Sequence, residues 1–175
     1  MPNMRTVITL LVLAICAGFG AAGASAASSP LLATPLLKDA AGQAARLDTY
    51  QGRVVLLNFW ATWCVPCLAE MPELNRLSKS LNGKQAVVVG IAADEPKAVQ
   101  AFVKKLGIAY PIVVGDADQM FQWSATLGNV SEGLPYSVLI DRGGKIRWMK
   151  SGGRLTEKEA RTEINKLLAA SAAKN

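Results

Sequence analysis

Cys64 and Cys67 are the residues of this chain best suited to covalent chemistry. They are separated by two residues in Trp63-Cys-Val-Pro-Cys67, and at the start of a helix that spacing puts both sulfurs on one side, one turn apart. Unpaired N–H groups and the positive end of the helix dipole favour a thiolate at Cys64. Such a thiolate attacks a substrate disulfide, and Cys67 attacks the mixed disulfide that results. Pro66 suits the opening turn, where its missing N–H is not needed. Other uses of the pair compete with this one. Structural zinc needs four ligands, and the 175 residues include three cysteines and no histidine. Haem attachment needs histidine where Leu68 stands. A purely structural disulfide closing so short a loop constrains little of the unfolded chain. A redox-inactive module holding copper on the two thiols usually adds histidine or paired methionine, whereas Met71 reads as helix core. The absent histidine also removes Ser-His-Asp triads and Cys-His dyads.

The elements that must position the pair are legible on either side of it. Val54 to Trp60 is a nearly continuous apolar run, the pattern of a central strand covered on both faces. After the cysteines, Leu68, Met71, Leu74, Leu77 and Leu81 recur at helical spacing, with Pro72 expected to kink that helix. Ala86 to Ala92 reads as a second buried strand. Asp94 or Glu95 opens a helix closed by Gly107. Pro111 to Val114 predicts a short strand, Met120 to Leu127 a short helix, and Tyr136 to Ile140 a strand turned by Asp141 to Lys145 into Ile146 to Met149. Thr156 with Glu159 forms a capping box for a last helix, with Ile164, Leu167 and Leu168 facing inward. Leu36 to Asp39 and Ala44 to Leu47, flanking a turn at Gly42, are expected to form a short hairpin. Alternating strands and helices with a closing hairpin predict an α/β fold with a mixed central sheet.

Residues 1–26 read as an address. Arg5 precedes an uncharged stretch from Thr6 to Ala22, and Ala24-Ser-Ala26 fits signal peptidase. A retained membrane anchor is the alternative. Ile15 is not the small residue that lipid attachment at Cys16 would want, so Cys16 reads as part of the leader. Residues 27–35 are expected to be a linker and 36–175 the domain. Export matters because an oxidising compartment lets a cysteine pair persist as a disulfide. Hydrophobic residues make up 51% and charged residues 18%, as in a globular domain. The net charge of +6 is dispersed over Lys38, Arg53, Lys104, Lys105, Lys150 and a loose group at Arg142, Lys145 and Arg147, a solvated face and not a nucleic-acid footprint.

Asn58-Phe-Trp-Ala-Thr-Trp-Cys-Val-Pro-Cys67 resembles the active-site segment of thioredoxin-fold proteins, in particular the exported TlpA/ResA-like thiol-disulfide oxidoreductases. Leu37-Lys-Asp with Gly42, Tyr50 to Arg53, Glu70, Pro72, Gly133 to Asp141 and Gly144-Lys-Ile extend the likeness over most of residues 36–170. The resemblance implies a thioredoxin fold with an N-terminal hairpin extension, a redox disulfide between Cys64 and Cys67, Cys64 as nucleophile and Cys67 as resolving thiol. It implies that Pro135 is a cis-proline beside the pair, leaving the Leu134 backbone free to bind polypeptide, and that Trp63 and Pro66 shape the docking surface. Glu70 matches an acidic residue near the pair that tunes or relays protons; an exposed first-turn glutamate placed for the helix dipole is the competing reading. Asn58 stands where cytosolic thioredoxins carry a buried aspartate. The implied activity is reduction of disulfides in exported proteins, apocytochrome c among them, recharged by a membrane thiol reductant and needing no cofactor or metal. An oxidase or isomerase is the alternative within the class.

Overall fold

The computed structural model describes residues 29–172 apart from Leu32 and Asn82; the expected leader lies outside them. The chain runs β1 (Leu37–Asp39), β2 (Ala44–Ala45), a 3-10 turn (Asp48–Tyr50), β3 (Val54–Trp60), α1 (Val65–Ser80), β4 (Ala86–Ala93) and α2 (Pro96–Leu106). It continues through β5 (Ile112–Gly115), α3 (Ala117–Thr126), β6 (Tyr136–Ile140), β7 (Ile146–Ser151) and α4 (Glu157–Ala172). The seven strands form one sheet in the order β2-β1-β5-β4-β3-β6-β7. β3, β4 and β5 are parallel, and the other pairings are antiparallel.

Side chains alternate across β3, so its apolar run serves two cores. Val54, Leu56 and Trp60 pack with Met71, Leu74 and Leu77 of α1, Val99 of α2 and Ile164 of α4. Val55, Leu57 and Phe59 face the other way, against Met120 and Trp123 of α3. Leu31, in the segment expected to be linker, is only 2% exposed and belongs to this second core.

Several boundaries differ from expectation for local reasons. α3 starts at Ala117 because Asp116 caps it, its Oδ1 accepting the Gln119 N–H at 3.1 Å. The second hairpin arm is only Ala44–Ala45, since Leu47 turns inward and is buried. α1 continues through Pro72, whose ring faces solvent. The α4 capping box forms by half: Thr156 Oγ1 accepts the Glu159 N–H at 3.2 Å, but the Glu159 carboxylate accepts from Lys150 Nζ at 2.9 Å instead of reaching back.

Candidate active site

The parallel strands deliver the cysteines to one end of the sheet. β3 ends at Trp60; the Ala61 carbonyl then accepts the Cys64 N–H at 3.1 Å, tightening the turn into α1. Asp94, just past β4, ties that turn down by accepting from the Thr62 N–H at 2.9 Å and from its hydroxyl. Burial pushes the Asp94 carboxyl up, yet these bonds and the Glu95 N–H outweigh it and leave its pKa below the usual value. Cys64 is the N-cap of α1, with its Sγ accepting the Cys67 N–H at 3.3 Å, and Pro66 occupies the first turn.

The two cysteines form a disulfide with Cα atoms 5.3 Å apart. Both are buried, whereas Trp63 is 63% and Val65 75% exposed, and Pro66 is exposed beside them. The Leu134–Pro135 peptide bond is cis. Leu134 packs against the core cluster that contains both cysteines. The Pro135 carbonyl accepts the Gly152 N–H at 2.9 Å, while the N–H and carbonyl of Leu134 have no partner among the described residues. Sequence reasoning missed the brace of this loop: Asn129, buried, donates from Nδ2 to the Gly133 carbonyl at 3.0 Å and to Ser124 Oγ at 3.1 Å. No local pattern marks a lone asparagine for that task.

Glu70 is the clearest departure from the reading of an exposed first-turn residue. It lies in the second turn of α1, three residues after Cys67 on the same buried face, and is 1% exposed. Its Oε1 accepts from Asn58 Nδ2 at 2.6 Å and its Oε2 from the Leu155 N–H at 2.8 Å. Asn58 Nδ2 also donates to Ser137 Oγ at 3.0 Å. Desolvation raises the Glu70 pKa to about 7; the Leu155 and Asn58 hydrogen bonds and the charge of Lys150 oppose the rise, and Glu159 adds to it. The residue where cytosolic thioredoxins carry an aspartate thus holds the carboxylate that this chain supplies from α1. Among the described residues no group of three His, Cys, Asp or Glu side chains is placed to hold a metal.

A mixed sheet with a disulfide closed across the first turn of α1 and a cis-proline at the start of β6 defines the thioredoxin-fold class. Residues 31–149 match the AhpC/TSA family, and the chain belongs to it. The thiol-disulfide oxidoreductase ResA of Geobacillus thermodenitrificans is 36% identical over 155 residues, covering 85% of this chain and 86% of that protein. The ResA of Geobacillus kaustophilus is 34% identical over the same shares. Among solved structures, a thioredoxin-related protein from Neisseria meningitidis serogroup B superposes with a TM-score of 0.68 at 27% identity, over 77% of this chain and 98% of that one. The TlpA/ResA-like resemblance holds, and the activity is thiol-disulfide oxidoreduction of the protein-disulfide reductase type.

Proposed function

We propose that the chain reduces disulfides of exported polypeptides, with Cys64 as nucleophile and Cys67 as resolving thiol. The observation that carries this reading is the Cys64–Cys67 pair at the N-terminus of α1, one turn ahead of the buried Glu70. In the reduced enzyme the Cys64 thiolate attacks one substrate sulfur, the substrate S–S bond breaks, and the departing thiolate takes a proton. Cys67 gives up its proton, to Glu70 in this scheme, and its thiolate attacks Cys64 Sγ. The second substrate thiolate leaves. Two electrons have passed to the substrate, and the enzyme disulfide seen here remains. Trp63, Pro66, Leu134 and Pro135 face the polypeptide, whose backbone pairs with the free N–H and carbonyl of Leu134.

Residues 1–26 act as a signal peptide or anchor, 27–35 lead into the domain, and the enzyme works outside the cytoplasm. Its substrates include apocytochrome c, and a membrane thiol reductant recharges it; the similarity to ResA thiol-disulfide oxidoreductases supports the disulfide chemistry of this reading. The test is a Cys67→Ala variant of the full chain expressed in cells. Exported proteins are expected to accumulate as mixed disulfides on Cys64, released by dithiothreitol and absent from the Cys64→Ser/Cys67→Ala double variant. Recovery of no exported partner would overturn the substrate assignment. Failure of the wild-type chain to speed dithiothreitol-driven insulin reduction would overturn the direction.

A further inference from the structure

Beside the nucleophile lies a groove of about 410 Å3 at the carboxyl ends of β4 and β5, where parallel sheets commonly receive ligands. Its apolar wall is Trp63, 63% exposed, with Leu36, 92% exposed. Both are large apolar surfaces left to water, and Trp63 directly precedes the nucleophile in the chain. Its polar wall is Asp94, Glu95 and Asp116 against a single ammonium, Lys38. Asp94 is occupied by Thr62 and Asp116 caps α3, while the Glu95 side chain makes no capping bond. Outside the groove Asp39, Glu70 and Asp118 lie in no ion pair among the described residues, whereas Asp48, Glu73, Asp141, Glu157, Glu159 and Glu163 all do. None of the groove carboxylates does, among the described residues. Nor does Glu132, in the loop that leads to Pro135 on the other flank of the disulfide. A protein with a net charge of +6 therefore presents an acidic, aromatic-walled groove next to its reactive sulfur.

We propose that this groove selects the substrate polypeptide, seating an apolar side chain on Trp63 and Leu36 and a lysine or arginine near the substrate cysteine against Glu95 and Asp116. The inference rests on Cys64 being the sulfur that meets substrate, and it narrows the substrates to disulfides flanked by basic residues. Charge at such a rim acts on encounter and register more than on the chemical step, so discrimination falls in KM and fades with salt.

The test uses the full chain, reduced beforehand, and three synthetic peptides with one internal disulfide, identical except for lysine, glutamine or glutamate two residues from the first cysteine. The expected kcat/KM for the lysine peptide exceeds that for the glutamate peptide by about tenfold at low ionic strength and by about twofold at 0.5 M salt. In the Glu95→Gln/Asp116→Asn variant, where asparagine still caps α3, the ratio is expected to fall to near one. Equal rates for the lysine and glutamate peptides in the wild type, or a ratio unchanged in the double variant, would overturn the proposal. If the wild type reduces none of the three, the glutamine peptide included, the nucleophile assignment itself fails and takes this inference with it.

Discussion

A carboxylic acid with no charged neighbour in hydrogen-bond contact, sealed under a redox pair, sets the behaviour of this molecule at the scale of single residues. Glu70 titrates near pH 7 in the fold against an ordinary value of 4.5. Between those values the folded chain keeps a proton that the unfolded chain has lost, so stability is full below pH 4.5 and declines as pH rises through 7. The loss amounts to about 3 kcal/mol. Urea unfolding of the oxidised chain at pH 5 and pH 8 is expected to show it, and Glu70→Gln to remove most of the difference. The same substitution is expected to erase an inflexion near pH 7 in the rate of disulfide reduction. If Glu70 only braced Leu155 and Asn58, the glutamine variant would keep the rate profile. The residues around the cysteines divide sharply in how well the sequence announces them. Cys64, Cys67 and Pro66 carry their meaning in local spacing. Glu70 does not, because its partners come from positions 58 and 155, and nothing within a few residues separates a buried glutamate from one on a solvated turn.

The elements repeat this contrast. β3 and β4 are legible because a strand covered on both faces must be apolar throughout, and both are buried at every position. The start of α3 was less so, since Asp116 serves as cap only when the chain has already turned away from β5. Gly90 hides another constraint inside β4. A Cβ there would lie 2.5 Å from Ile112 Cδ1 and 3.1 Å from both Trp60 Nε1 and Tyr110 Cε2. The isoleucine tip can swing aside, but the two buried rings have little room. Gly90→Ala is expected to cost about 1–3 kcal/mol in chemical denaturation. Gly83→Ala, where a Cβ meets nothing within 4 Å, is expected to change stability by less than about 0.5 kcal/mol. Similar losses from both would show that the close approach at Gly90 does not matter. The groove beside Trp63 is the least legible feature of all, because Leu36, Glu95 and Asp116 meet only when β1 pairs with β5.

For the molecule as a whole, the folded body reaches back to Leu31, and the family match begins at the same residue. Leu31→Ala is expected to cost about 2–4 kcal/mol, measured as a lowered urea midpoint. Removing residues 1–35 should cost at least as much, and a shortened chain as stable as the full one would show that the contact adds nothing. Ser29 sits against Gly144, in the turn between β6 and β7. That turn lies at the far end of the strands from Cys64, since β6 begins opposite Phe59 and ends opposite Val55. A seven-residue strand spans about 23 Å. If residues 1–26 act as a membrane anchor, the molecule is held by its tail with its reactive sulfur at the far end of the sheet. It would then meet soluble polypeptides freely, while an electron donor embedded in the same bilayer could reach it only with a projecting arm of its own.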